Sequence, residues 1–421
     1  MLPSLLPPLT VPTQSLQIIE SETRMFPRPA FFSGARLNFA ENLLFPANAP
    51  ALNPDSPALI AATETTREIV SWRQLRSRVA RCQQVLHSVG VKEHDRVAGY
   101  VGNHANAIVA MLAATSLGAI WTAISPDSGV SMVLDRLKQI EPRVLFVDDG
   151  QVYNGKQFGV LGKVVEILDQ LSSIQTCIVF KIVDDKVGGE VSADHTTESK
   201  AQVRLYENMP GMEGPEPELS FAQLPADHPV YILYSSGTTG APKCIVHGGK
   251  FTDASEEAHR LLTLQAIGTL LQHKKEHMLH CSIGPGSRVF YFTTVTWMMW
   301  HWLVSGLAAG ATLILYDGSP MRYRTTEGSS ESTDLAVPRL IDELQIEHFG
   351  TSAKYLSILE QKGVMPRESG CSSSTLHAIY NTASPLAPST FSYVYKAFGP
   401  DINLGSITGV RKKPLIVGER Y

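Results

Sequence analysis

The chain has 421 residues, of which 43% are hydrophobic and 18% charged, a composition typical of a globular protein with two or three domains. Its formal net charge is −4, from 36 basic and 40 acidic residues, which excludes the strong overall positive charge of many nucleic-acid-binding proteins. Five widely spaced cysteines form no CxxC pair with metal-binding spacing. They are expected to be reduced, mostly buried thiols in a cytoplasmic protein.

The first 30 residues form a Pro-rich tail without the basic region of a signal peptide. From residue 66 to residue 147, helix and strand signals alternate. Helices are predicted at residues 71–89, 106–117 and 130–140, and strands at residues 96–101, 119–124 and 144–147. This alternation predicts a mainly parallel sheet covered on both faces.

Residues 183–227 are polar and rich in Gly and Pro, which predicts a surface excursion. It would separate two α/β subdomains at residues 31–227 and 228–409. One apolar run, residues 295–316, raises the question of a membrane span. His301, Ser305 and two glycines interrupt it, so we expect a buried helix followed by a buried strand, and no membrane span.

The most informative segment is an apolar strand signal at residues 231–234, followed by a loop of Ser, Thr and Gly that closes with Pro242 and Lys243. Glycines let backbone N–H groups approach an anion, hydroxyl groups add donors, and Lys243 adds a positive charge. The loop is therefore predicted to bind polyphosphate; the alternative is a flexible Ser/Gly turn. It is not a Walker A loop, because Cys244 stands where that motif has Ser or Thr.

This loop, SSGTTGAPK at residues 235–243, resembles the phosphate loop of the adenylate-forming acyl-CoA synthetase superfamily. Further segments match acetoacetyl-CoA synthetases in order, from about residue 31 to about residue 409. Among them, WMMW at residues 297–300 and FGTSAKY at residues 349–355 indicate the acetoacetate branch. The resemblance implies an α/β fold: the large N-terminal AMP-binding domain of the superfamily, built of stacked α/β subdomains.

The resemblance also assigns site residues. The ATP phosphates would be bound by Ser235, Ser236, Gly237, Thr238, Thr239, Gly240 and Lys243, with Thr238 and Lys243 as catalytic residues, and the adenine pocket would be lined by Ala383, Ser384 and Pro385. The acyl pocket would include Thr294, Trp297, Gly350 and Thr351. Core packing is the alternative for Trp297 and is preferred for Trp300. Lys354 is expected to solvate a helix start, and His247 to contact a phosphate or serve as a structural histidine.

The implied reaction is ATP-dependent ligation of acetoacetate to CoA through an acetoacetyl-adenylate. Its partners would be small molecules: acetoacetate, ATP and CoA. Mg²⁺ would bridge phosphate oxygens, and because it takes few protein ligands, no metal-ligating residue is assigned.

The chain departs from the family pattern in three places. Thr296 stands where the family has Gly, which is costly if that position requires a positive φ. Residues 250–265 have no family counterpart, and the match ends at Gly409, before a dissimilar tail at residues 410–421. The AMP-binding domain is therefore expected to be incomplete, and the mobile C-terminal domain with its adenylation lysine to be absent. Little or no complete ligase activity is expected.

Two other functions remain open. One is a non-catalytic remnant that binds nucleotide or acyl groups. The other is a ligase for a different short-chain or fatty acid.

Overall fold

The structure is a computed structural model that describes residues 32, 34–189, 201–234, 242–247, 266–408 and 415–416. For residues 247, 408, 415 and 416 only the backbone is described. The chain begins with β1 (Arg36–Leu37), α1 (Phe39–Leu44), β2 (Pro57–Thr63), β3 (Arg67–Ser71), α2 (Trp72–Ser88), β4 (Arg96–Tyr100), α3 (Ala105–Ser116), β5 (Ile120–Ile124), α4 (Val130–Leu137), β6 (Val144–Asp148), β7 (Gly150–Tyr153), β8 (Lys156–Gly159), α5 (Leu161–Asp169), β9 (Thr176–Phe180), α6 (Asp185–Gly188), β10 (Gln202–Leu205) and β11 (Leu224–Pro225). It continues with β12 (Tyr231–Tyr234), β13 (Cys244–His247), α7 (Ala266–Lys275), β14 (Arg288–Tyr291), α8 (Met298–Ser305), β15 (Thr312–Asp317), β16 (Arg322–Thr326), β17 (Ser329–Ser332), α9 (Ala336–Glu343), β18 (His348–Ser352), α10 (Ala353–Gln361), β19 (Ala378–Thr382), α11 (Pro388–Phe398), β20 (Asn403–Thr408) and β21 (Leu415–Ile416).

Two large sheets organise the described residues. The seven-stranded sheet has the order β10-β9-β6-β4-β5-β12-β13, and only its β12–β13 pair is antiparallel. The eight-stranded sheet has the order β21-β20-β19-β18-β14-β15-β2-β3, with antiparallel pairs only at its two ends. The prediction of an α/β fold with mainly parallel sheets is confirmed.

The three helices with predicted limits, α2, α3 and α4, begin within one residue of the predicted starts because local signals define them. Ser71 caps α2: its hydroxyl accepts from the Gln74 backbone N–H, and the Gln74 side chain accepts from the Ser71 backbone N–H. In α3 every residue except Asn106 is buried. This Ala-rich helix contacts β5 of one sheet and β2 of the other. The largest hydrophobic cluster accordingly joins side chains of both sheets, such as Trp121 and Val289.

The apolar run at residues 295–316 forms two elements, as predicted. Met298–Ser305 is a buried helix, and after a short 3-10 turn Thr312–Asp317 is a buried strand. Across the described residues, every helix is too short or too polar to cross a membrane.

The two sheets draw on both sides of the predicted subdomain boundary at residue 228. β2 and β3 complete the sheet formed by the later strands, whereas β12 and β13 extend the sheet formed by the earlier ones. Residues 202–205, inside the predicted polar excursion, form β10 and pair in parallel with β9. The excursion thus contributes an edge strand, and the division of the chain into two folding units stays a prediction.

Candidate active site

The predicted adenine and acyl residues lie at or just after the carboxyl ends of three adjacent parallel strands. In the register of the sheet, Tyr291 of β14 pairs with Gly350 of β18, and Gly350 pairs with Tyr380 of β19. Residues 292–297 and 383–385 therefore follow the ends of β14 and β19, and Gly350 and Thr351 lie within the last three residues of β18 between them, at the same edge of the sheet. Carboxyl edges of parallel sheets are where α/β folds bind ligands.

The predicted phosphate-binding residues Ser235, Ser236, Gly237, Thr238, Thr239 and Gly240 lie outside the described residues. Their flanks are described. β12 ends at Tyr234, and Tyr234 pairs with Cys244 of the antiparallel strand β13. The two described ends that flank the loop thus lie side by side at the carboxyl edge of the seven-stranded sheet. Lys243 is exposed immediately before β13, and the side chain of His247 is outside the described residues.

The two tryptophans of the WMMW segment have different environments. Trp297 precedes α8 and is 60% exposed, so the alternative of core packing is wrong for it. Its backbone N–H donates to the carbonyl oxygen of Thr294, which folds the two predicted acyl-pocket residues into one turn. Trp300 is fully buried and its Nε1–H donates to Asn103 Oδ1 at 2.9 Å, which confirms core packing for this residue.

Gly350 and Thr351 are both buried in β18. A Cβ placed on Gly350 would come within 3.0 Å of the Tyr291 ring, so sheet packing requires glycine here. The Thr351 hydroxyl is buried and has no hydrogen-bond partner among the described residues. Leaving a buried hydroxyl without a hydrogen bond costs about 1–3 kcal/mol of stability. A polar ligand atom that hydrogen-bonds to this oxygen would remove that cost.

The turn after β19 carries backbone strain. Ala383 has a φ of 80°, in the left-handed region that residues with a Cβ seldom adopt. Ala383, Ser384 and Pro385 are all exposed. Strained, exposed backbone at the carboxyl edge of a sheet is common at ligand-binding sites. Lys354 is exposed in the first turn of α10, as expected for a residue that solvates a helix start.

Polar side chains join the carboxyl edges of the two sheets. The Ser125 backbone N–H, directly after β5, donates to Thr296 Oγ1 at 2.9 Å. Asn103, after β4, donates to the carbonyl oxygens of Thr293 and Tyr316 at 3.3 Å each. Thr296 has no positive φ. The expected backbone penalty of this departure from the family pattern therefore does not arise, and its hydroxyl bridges the two sheets.

A buried charged group lies at the same junction. His104 Nε2 is 3.0 Å from Asp148 Oδ1, and Asp148 is 1% exposed. Burial alone would lower the pKa of His104, but the attraction to Asp148 outweighs burial and raises it. Burial, reinforced by the charge of Asp148, raises the pKa of Asp317 from 3.8 to about 6, against the attraction to His104.

This shift predicts a pH-dependent contribution to stability. Asp317 binds its proton more tightly in the folded chain than in the unfolded chain, so its stabilising contribution is present below pH 4 and is lost as the pH rises through about 6. The substitution Asp317→Asn should therefore raise the free energy of unfolding at pH 7.5 by roughly 1–2 kcal/mol, with a smaller gain near pH 4. Urea unfolding at pH 4, 5.5 and 7.5 measures this. The exposed Asp401→Asn is the control, and an equal gain at every pH would contradict the assignment.

Asn103, Ser125, His104 and Asp317 were not predicted as site residues. All of them lie at or just after the carboxyl ends of β4, β5 and β15. Polar residues at the ends of predicted buried strands were therefore the available signal, but only the strand order shows that these ends meet.

Fold and site together define an α/β protein whose candidate ligand site lies where the carboxyl edges of two mainly parallel sheets meet. The family model described as "AMP-binding enzyme" matches residues 46–408, and the chain belongs to that family.

The chain is also similar to individual proteins that are named as CoA synthetases. The chain is 51% identical over 399 residues to a malonamoyl-CoA synthetase, vrtB, of Penicillium aethiopicum, covering 93% of this chain and 52% of that protein. It is 40% identical over 402 residues to the acetoacetyl-CoA synthetase of Mus musculus, covering 93% of this chain and 53% of that protein. It is similar to the solved acetoacetyl-CoA synthetase of Streptomyces lividans, with a TM-score of 0.78, 33% identity, and coverage of 95% of this chain and 57% of that one. The chain thus spans about half the length of the curated relatives it matches.

Proposed function

We propose that this chain carries the substrate-binding part of an ATP-dependent acid–CoA ligase that acts on a short acid with a carbonyl group at C3. Acetoacetate is the first candidate. The relatives named acetoacetyl-CoA synthetase and the family match support this class of reaction.

One observation carries the proposal. The residues assigned to the adenine and acyl pockets come from three separate stretches of the chain, yet they lie at or just after the carboxyl ends of the neighbouring strands β14, β18 and β19. Such a placement would set the acid beside the nucleotide. Holding two reactants in position is the main requirement of a reaction between two anions.

The reaction has two steps. A carboxylate oxygen of the acid would attack the α-phosphorus of ATP, forming the acyl–phosphate bond as the bond to pyrophosphate breaks. The CoA thiolate would then attack the acyl carbon, forming the thioester and releasing AMP. Lys243 would neutralise developing negative charge on the phosphates, aided by Thr238 and the other predicted residues of the loop. The exposed turn at Ala383 would face the adenine.

Mg²⁺ would accompany ATP. Within the described ranges, this edge of the sheets holds no set of three His, Cys, Asp or Glu side chains with all ligating atoms inside 4.8 Å. The described residues at this edge therefore do not form a metal site built from side chains, and none of them is assigned to Mg²⁺. The ion prefers phosphate oxygens and retained water.

Malonamate is the second candidate acid, because a relative named malonamoyl-CoA synthetase is 51% identical to this chain. Acetoacetate and malonamate have nearly the same shape: a methyl group in one replaces an amino group in the other. Both carry a carbonyl oxygen at C3 that could accept from the unpaired Thr351 hydroxyl. Butanoate has the same chain length without that oxygen and is therefore a matched negative control.

Trp297 provides the test. The chain has five tryptophans, and Trp297 is 60% exposed whereas Trp72, Trp121, Trp300 and Trp302 are buried. Acrylamide quenching of tryptophan fluorescence therefore reports mainly on Trp297. With ATP and Mg²⁺ present, acetoacetate or malonamate should reduce quenching, and butanoate should not. Trp297→Phe should remove this response while ATP binding, measured by calorimetry, persists.

The other functions predict different results. A non-catalytic remnant would bind ATP in a saturable way, without an acid-dependent change in quenching or acid-dependent release of pyrophosphate. A ligase for another acid would respond best to that acid in a panel of short and long carboxylates. Failure to bind ATP at all would overturn the proposal.

A further inference from the structure

Three side chains with metal-binding atoms lie together at the amino edge of the seven-stranded sheet, away from the candidate active site. Glu93 and His94 belong to the turn between α2 and β4, and His228 lies just before β12. Their ligating atoms all lie within 4.8 Å of one another. Since β4 and β12 begin at this edge and the candidate site lies at the other, the cluster is independent of the proposed function.

The distances between these atoms suit a metal ion. His94 Nε2 is 3.3 Å from Glu93 Oε1, and His228 Nδ1 is 3.8 Å from the same oxygen. Bonds of about 2.0–2.1 Å in a tetrahedral zinc site place neighbouring ligand atoms roughly 3.3–3.4 Å apart. Of the three pairs of ligating atoms, the first already has this separation and the second requires only a small movement of the half-exposed Glu93 side chain. The third pair, between the two histidines, lies within 4.8 Å.

His228 is oriented as a metal-ligating histidine usually is. Its side chain is buried, and its Nε2 lies 2.9 Å from the carbonyl oxygen of Gly118. A carbonyl oxygen only accepts, so Nε2 carries the proton and Nδ1 keeps its lone pair directed toward Glu93. A backbone carbonyl bonded to the second ring nitrogen is the common support of ligating histidines. Burial also lowers the pKa of His228, which favours the neutral ring that binds metals.

The backbone holds His94 against His228. The His94 N–H donates to the same Gly118 carbonyl oxygen at 2.9 Å, and the two imidazole rings are 4.6 Å apart. His94 has a φ of 66°, a strained conformation for a residue with a side chain. The Glu93 side chain packs on Gly118, where a Cβ would be 3.0 Å from Glu93 Cγ. Gly118 therefore positions all three side chains.

We propose that Glu93, His94 and His228 form a binding site for Zn²⁺, with water at the fourth position. Two imidazoles and one carboxylate favour zinc and similar transition metals over Mg²⁺ or Ca²⁺, which prefer oxygen ligands. The bound ion would tie the turn before β4 to the residues before β12. β12 is the strand that leads to the predicted phosphate loop, so the site would fix that strand at its far end.

The test uses the full chain without a histidine tag, stripped of metal by EDTA and dialysed. Zn²⁺ binding is measured by calorimetry, by metal content after dialysis and by thermal unfolding. We expect one Zn²⁺ per chain bound by these residues, and a higher unfolding temperature when it is present. Co²⁺ as a probe should give the strong visible absorption of tetrahedral coordination.

Two substitutions of exposed side chains should keep the fold, and they test whether these residues bind the metal. His94→Asn retains a residue that tolerates positive φ but removes the imidazole, and Glu93→Gln removes the charge. Each should weaken Zn²⁺ binding at least about tenfold. The control is His87→Asn, an exposed histidine in the last turn of α2, which should bind as the unmodified chain does. Binding unaffected by both site variants, or no binding by the unmodified chain, would overturn the proposal.

Discussion

Replacement of Gly350 by alanine is expected to destabilise the chain by about 3 kcal/mol or more, at the upper end of the range for overpacked cores. Gly350 lies within β18, between β14 and β19. A Cβ at this position would come within 3.0 Å of three ring carbons of Tyr291, a distance that real Cβ atoms essentially never show.

The Tyr291 ring cannot easily move aside. Tyr291 is 2% exposed, and its ring packs edge-on against Trp302 at a centroid distance of 6.1 Å. Trp302 is itself fixed, because its Nε1–H donates to Glu276 Oε2 at 3.0 Å. A shift of Tyr291 would thus disturb a second buried aromatic residue, and the added methyl group would separate the strands instead.

Urea unfolding measures the expected effect. Gly162→Ala is the matched control: Gly162 lies in α5, a Cβ there meets nothing within 4 Å, and alanine should be neutral or stabilise by up to about 1 kcal/mol. Adding Tyr291→Val to Gly350→Ala should cost less than the sum of the two single changes, because the smaller side chain removes the contact. A Gly350→Ala variant as stable as the unmodified chain would refute the packing argument.

The stability of Gly350→Ala also tests why the candidate acyl pocket has glycine at this position. The family resemblance places Gly350 in the acyl pocket, where glycine could serve close approach of the acid. The contact with Tyr291 gives an independent reason for glycine at this position. A stability loss without any ligand shows that sheet packing alone demands glycine here, whereas any role in acid binding would appear only as an additional loss of affinity.

Local signals were sufficient to predict the helices and strands of residues 71–147, the strand β12, and the helix–strand pair within residues 295–316. The helical pattern of residues 71–89 predicted α2, whose start the capping pair Ser71 and Gln74 fixes in the structure, and the Gly-rich break inside residues 295–316 separated α8 from β15. These features act over a few residues, so a single sequence contains them. The Asn154-Gly155 turn of the β7–β8 hairpin, with φ values of 52° and 73°, is an equally strong local signal for a hairpin.

Pairing between distant strands could not be predicted. β2 joins the eight-stranded sheet beside β15, more than 250 residues further along the chain, and no pattern in residues 57–63 identifies that partner. The exposure of individual site residues could not be predicted either. Trp297 and Trp300 have the same residue type in the same motif, but one stands before the first turn of α8 and the other within it. Only the packing of α8 shows which is exposed.

Glu64 is the second residue whose replacement should have a large effect. Its side chain is fully buried, yet it carries a carboxylate. Its two oxygens accept from three backbone N–H groups: Asn154 and Gly155 at 2.6 Å each, and Ser319 at 2.8 Å. Arg322 Nε lies 3.4 Å from Glu64 Oε2. One carboxylate thus joins the turn after β2, the β7–β8 hairpin and the segment after β15.

Glu64→Ala should destabilise the chain by about 3–5 kcal/mol. Hydrogen bonds to a charged group contribute about 1.5–3 kcal/mol each, and removal of the acceptor leaves backbone donors and the Arg322 charge without their partner. Water that enters the space recovers part of this loss. Glu64→Gln should cost less, roughly 1.5–3 kcal/mol, because the amide keeps one acceptor but directs its NH₂ group at a backbone N–H.

Urea unfolding should therefore rank the variants in the order Glu64→Ala, Glu64→Gln, and then Glu68→Gln as the least affected. Glu68 is the control, since its ion pair with Arg78 is exposed on both sides, at 48% and 36%, and such pairs contribute about 0–1 kcal/mol. Amide hydrogen exchange adds a local measurement: Asn154, Gly155 and Ser319 should exchange faster in both Glu64 variants and unchanged in Glu68→Gln. If Glu64→Ala were no more destabilising than Glu68→Gln, the carboxylate would not hold the three segments together, and the contact between hairpin and sheet would depend on apolar packing alone.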